Sequence, residues 1–149
     1  VRNPLDRLRS AYNYLGFRDL VGFAYFVDEI AEKSLERRDS WHWFIRPQTD
    51  FLLDANGNLL VDEYFRLENL SASIDTIIER TQLSACELRH SNHTGTIGRA
   101  SRFVRAMKLI LRERIRMQAI WMEKQADCDS GTRARIELVY RSDYERFGY

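Results

Sequence analysis

The chain has 149 residues, 44% of them hydrophobic, 30% charged and 12% aromatic, with a formal net charge of +1. That composition is too apolar for a disordered chain and too charged for a membrane bundle, and no apolar run reaches the ~18 residues a spanning helix needs. Two cysteines, Cys86 and Cys128, are too few for a disulfide framework.

Asn3-Pro4 reads as a helix start, with Asn at the N-cap, Pro at the first helical position and Asp6 in the first turn. Leu5, Leu8, Ala11, Tyr12 and Leu15 follow at helical spacing, and Gly16 ends the run. A second helix is expected from about Leu20 to Leu35, with Phe23, Phe26, Val27, Ile30 and Ala31 inward. The aromatic stretch Trp41 to Ile45, stopped by Pro47, reads as loop. Phe51–Asp54 and Leu59–Asp62 flank Asn56-Gly57, a hairpin signal because both turn residues tolerate positive φ. A helix is expected from Ser71 to Thr81, a loop from Arg89 to Gly98, a long helix from Arg99 to Gln125 and a last one from Thr132 to Arg146. With Val1-Arg2 taken as the tail of a strand, the expected class is α/β with a helical bias.

Charge is unevenly placed. Gly95 to Ala126 holds eight Lys or Arg against Glu113 and Glu123. Three readings of this segment compete. It can be an amphipathic helix packed on the body with a solvated basic side, a surface for anionic glycans or headgroups, or a nucleic-acid binder. The first is preferred, and a near-neutral chain argues against nucleic acid as a partner. Cys86, His90 and His93 lack a fourth ligand at a recognised spacing, so no metal is expected.

Arg2 stands at the start of the first helix, where the dipole and N–H groups attract anions and a guanidinium adds a fork matched to phosphate. Ser10, two turns on, offers a hydroxyl to the same anion. The competing reading is a surface Arg and a small packing Ser.

The segment Val1-Arg2-Asn3-Pro4-Leu5-Asp6-Arg7-Leu8-Arg9-Ser10-Ala11-Tyr12 resembles the 3′-phosphate-binding motif of carbohydrate sulfotransferases that use 3′-phosphoadenosine 5′-phosphosulfate (PAPS). Four further segments follow in that family's order. His42-Trp43 with Arg46-Pro47-Gln48 resembles its His-Trp-x-Pro-Gln segment, here with Phe44 and Ile45 additional. Phe65 to Leu70 resembles Arg-Phe-Glu-Asn-Leu, and Leu88 to Asn92 resembles Leu-Pro-His-x-Asn with Arg89 in place of the proline. Tyr140 to Tyr149 resembles the closing Tyr-x-x-Asp-x-x-x-Phe-Gly-Tyr.

The resemblance implies a P-loop-like sulfotransferase fold, with PAPS as co-substrate, a carbohydrate or glycan hydroxyl as acceptor and no metal. It assigns Arg2 and Ser10 to the 3′-phosphate, Gln48 and His42 to the acceptor side, and Glu68, Asn69, Phe147 and Tyr149 to the scaffold. Residues 1–149 then read as the C-terminal part of one sulfotransferase domain, with 95–126 as a basic helical insertion. The family's 5′-phosphosulfate loop and its base lie upstream of this motif, so no catalytic residue is assigned. A chain opening on Val1 rather than Met is read as beginning inside a larger protein, and any membrane anchor would lie outside it. Relatives in the Golgi lumen and in bacteria leave the compartment undecided. The alternative is a non-catalytic relative that binds nucleotide or anionic glycan.

Overall fold

The computed structural model describes residues 1–81, 98–113 and 128–149. Helix α1 spans Pro4–Leu15 and is bounded as its sequence dictates. The Asn3 side chain accepts from the Leu5 and Asp6 amides, and Gly16 closes the helix in the left-handed region at φ 90°. The second helical run begins at Phe23 rather than Leu20. It comprises α2 (Phe23–Tyr25), a π-helical stretch (Phe26–Ala31) and α3 (Glu32–Arg37). The five residues expected inward are all buried. Phe17, Phe26 and Trp41 form an aromatic triad with centroids 5.2–6.3 Å apart. Full burial of one such side chain contributes about 1.5–3 kcal/mol.

The expected helical bias is present, whereas the strand part of the α/β expectation is not shown. The fold is mostly helical, and among the described residues the only assigned strand pairing is an isolated antiparallel bridge, Leu53 to Leu59. The expected hairpin shrinks to this bridge for two reasons. Thr49–Leu52 forms α4 instead of a strand because Asp143 caps its first turn from elsewhere in the chain. The Asp54 carboxylate then takes the Asn56 and Asn58 amides, each at 2.8 Å, so a side chain closes the turn where a ladder was expected. Phe51 and Leu60 remain 48% and 64% exposed.

Val1 retains one trace of strand pairing. Its nitrogen donates to Phe65 O at 2.6 Å and its carbonyl accepts from Leu67 N at 2.7 Å, the bond pattern of a single parallel rung. Helix α5 spans Leu70–Thr81, with Ile74, Ile77 and Ile78 half-buried.

Helix α6, Arg99–Glu113, packs against α1, with Ala106 and Ile110 buried. Gly16 makes that approach possible: a Cβ there would lie 2.1 Å from the Arg102 carbonyl oxygen. The basic side chains of α6 are largely engaged by the body. Arg99 and Arg102 pair with Asp19 at 3.5 and 3.0 Å, and Arg105 donates to Tyr14 O while lying 4.3 Å from the centre of the Tyr14 ring. The packed amphipathic reading therefore fits 99–113; the remainder of the expected helix to Gln125 lies outside the described residues.

The last expected helix is two, α7 (Ser130–Val139) and α8 (Arg141–Phe147). Asp129 caps α7 through the Thr132 amide, and the break falls at Tyr140, whose backbone leaves helical geometry at φ −106°, ψ 24°. The Tyr140 hydroxyl donates to Ile45 O, fixing the joint against the aromatic loop.

Candidate functional site

Residues 1–3 enter α1 at the meeting point of several distant segments. The helix N-terminus itself offers an anion fewer free donors than expected. Pro4 has no N–H, Leu5 and Asp6 donate to Asn3 Oδ1, Arg7 donates to Asn3 O, and the Asn3 amide donates to Glu68 Oε1 at 2.7 Å. What remains for an anion is the helix dipole and the Arg2 side chain. Among the described residues the Arg2 guanidinium makes no hydrogen bond or close ion pair, and the carboxylate that feels its charge is Glu68.

The Arg2 main chain, by contrast, is held on both sides. Its N–H donates to Gln48 Oε1 at 2.8 Å, and its carbonyl accepts from Gln48 Nε2 at 2.7 Å. Gln48 is in turn fixed by Asp143. The Gln48 amide donates to Asp143 Oδ2, and the Thr49 amide and hydroxyl both donate to Asp143 Oδ1, at 2.8, 2.8 and 2.9 Å. Asp143 is fully buried, so these bonds replace the water its carboxylate gives up. The Arg7 guanidinium donates to the carbonyls of Arg46 and Trp43, tying α1 to the same loop. Burial lowers the Arg7 pKa, against the opposing fields of Tyr140 and Asp143.

The other side of residues 1–3 is built from 64–68 and 147–149. Glu68 accepts from Asn3 N and from the Tyr149 hydroxyl, the latter at 3.0 Å. Burial pushes Glu68 upward, but the Asn3 amide, its own backbone and the Tyr149 hydroxyl outweigh it and leave the carboxyl below its ordinary pKa. Arg66 donates to the carbonyls of Phe147 and Gly148 and lies 5.0 Å from the centre of the Tyr149 ring. The scaffold role expected of Glu68, Phe147 and Tyr149 agrees with these contacts.

The predicted site residues divide accordingly. Arg2 and Gln48 are brought into direct contact, with the Gln48 carboxamide turned onto the Arg2 main chain. Ser10 is half-buried on α1, in the helical row of Arg7 and Tyr14, and makes no hydrogen bond to Arg2 among the described residues. His42 sits in a short 3-10 turn, His42–Phe44, with Nδ1 2.7 Å from Asp39 O, so Nδ1 carries the hydrogen. It lines a cleft of about 360 Å³ with Arg38, Arg46, Pro47 and Asp50. Arg46 pairs with Asp50 at 2.7 Å, and Arg38 holds a left-handed backbone at φ 55°. The segment Leu88–Asn92, Cys86 and His93 lie outside the described residues.

Asp143 and Arg7 both stand in the motif segments, but the sequence assigned neither a role. A signal for Asp143 exists: Ile136, Tyr140, Asp143 and Phe147 recur at helical spacing, and one acid in an otherwise apolar row marks a buried carboxylate with dedicated partners. Comparison with known protein families, with curated proteins and with solved structures finds no match. The family resemblance therefore rests on the motif segments and on how they meet.

Proposed function

We propose that this chain is part of a PAPS-dependent sulfotransferase acting on a carbohydrate or glycan hydroxyl. One observation carries the reading: the four described motif segments, spread from residue 1 to residue 149, interlock around Arg2. Val1 bonds to 65 and 67, Arg2 to Gln48, Asn3 to Glu68, Glu68 to Tyr149, and Gln48 to Asp143. Segments that resemble one family's motifs in order, and also converge in space, support a shared nucleotide site more strongly than their order does alone.

In this reading Arg2, beside the positive end of α1, binds the 3′-phosphate, and Ser10 supplies a hydroxyl two helical turns on. The cleft at His42, next to Pro47 and Gln48, takes the acceptor. The acceptor oxygen attacks sulfur as the bond from sulfur to the nucleotide's phosphate oxygen breaks, and the hydroxyl proton passes to a base outside the assigned residues.

The test is nucleotide binding and transfer by the full-length protein. Binding of 3′,5′-diphosphoadenosine, with labelled sulfate passing from PAPS to a glycan, is the expected result. Binding without transfer selects the non-catalytic alternative, and no binding overturns both. Arg2→Ala is expected to weaken 3′,5′-diphosphoadenosine by about tenfold or more while leaving adenosine 5′-phosphate nearly unchanged.

A further inference from the structure

We infer that Gln48 is a positioning residue: its carboxamide fixes the Arg2 main chain and so aims the Arg2 guanidinium at the 3′-phosphate. The inference rests on the nucleotide reading of Arg2 given above, and deepens it.

Three observations carry it. First, the Gln48 carboxamide places its acceptor on the Arg2 N–H and its donor on the Arg2 carbonyl, gripping a single residue from both sides. Second, Gln48 cannot drift, because all the hydrogen bonds that described residues make to the Asp143 side chain come from Gln48 and Thr49. Third, the cap on α4 needs only the main chain of Gln48 and the main chain and hydroxyl of Thr49. The Gln48 side chain is thus not required to start that helix, and its geometry is directed wholly to Arg2, apart from a 3.4 Å approach of Nε2 to Asp143 Oδ2.

The physical effect is a loss of freedom before the ligand arrives. The Arg2 main chain is ordered beforehand, so its backbone freedom is not given up on binding, which is preorganisation. A glutamate at the same place would accept from the Arg2 N–H but could not donate to its carbonyl, and would face the Asp143 carboxylate. Gln is therefore the side chain that fits both neighbours.

The experiment uses the full-length protein, with Gln48→Met as an isostere lacking the bonds and Gln48→Glu as a second variant. Calorimetric titration compares 3′,5′-diphosphoadenosine with adenosine 5′-phosphate, and hydrogen exchange follows the Arg2 amide. Both variants are expected to weaken the first ligand about tenfold and the second less than about twofold. The Arg2 amide is expected to exchange about tenfold faster or more, with the Leu8 and Ala11 amides unchanged. Equal weakening of both ligands overturns the positioning role, as does a wild-type Arg2 amide that exchanges freely. If Arg2→Ala discriminates the ligands and the Gln48 variants do not, the positioning role alone fails. If Arg2→Ala does not discriminate them, the nucleotide reading fails and takes this inference with it.

Discussion

Polar groups hold two parts of this molecule in opposite ways. Around Arg2 they are few, largely withdrawn from water and directed at main-chain partners: Asp143, Gln48 and Arg7 each satisfy backbone groups far away in sequence. Along α6 they are many and mostly at the surface, where Arg99 is 75% exposed and Arg112 is 62% exposed. A buried carboxylate fixes a unique arrangement, because removing it leaves several donors without water or partner. An exposed ion pair contributes a few tenths of a kcal/mol. What seats α6 is the burial of Ala106 and Ile110 and the shielded Arg102–Asp19 pair, at an approach that the bare Gly16 permits. The contrast separates where charge is abundant from where charge decides the structure.

The largest test of the contrast lies in the buried region. Asp143→Ala is expected to cost about 3 kcal/mol or more in chemical denaturation, since the Gln48 and Thr49 amides lose their acceptor inside the fold. A loss below about 1 kcal/mol would mean that the carboxylate is not the organising group. Next is the α6 seam. Gly16→Ala is expected to cost about 2 kcal/mol, from the positive φ and from the collision with the Arg102 carbonyl. It should loosen protection of the α6 amides before those of α3.

The motif region also predicts a pH dependence. Glu68 has a folded-state pKa below its unfolded value, so its stabilisation is present above the unfolded pKa and is lost as pH falls through the folded one. Glu68→Gln should therefore lower stability at neutral pH, leave it little changed in acid, and so flatten the acid limb of the stability profile. A steeper acid limb in the variant would reverse the assigned sign. The smallest effect belongs to the exposed charges: Arg99→Ala is expected to change stability by less than about 0.5 kcal/mol.

Legibility in the sequence followed the range of the forces involved. Asn3, Pro4 and Gly16 act within a turn of themselves, and the ends of α1 were read correctly from them. The apolar face at Phe23 to Ala31 was equally plain, because burial follows periodicity. The hairpin failed because Asp143, nearly a hundred residues away, capped the first strand into a helix. Propensity at 49–53 had no access to that bond. The split at Tyr140 was hidden for the same reason, since its hydroxyl answers to Ile45. At the site, Arg2 stood out through the family motif, but the direction of the Gln48 side chain depended on residues that sequence spacing alone does not bring near.

The distance between Arg2 and Asp143 also sets an order in time. During synthesis α1 can form early, because its cap is its own. The clamp on Arg2 waits until Asp143 has left the ribosome, roughly ten seconds after Arg2 at ordinary elongation rates. Through that interval Gln48 can reach Arg2 but lacks the Asp143 carboxylate that fixes it, and contacts of such long sequence separation close slowly. Arg2 is thus set in place long after it is translated, and a nascent chain stalled before position 143 would carry a formed helix with an unaimed arginine.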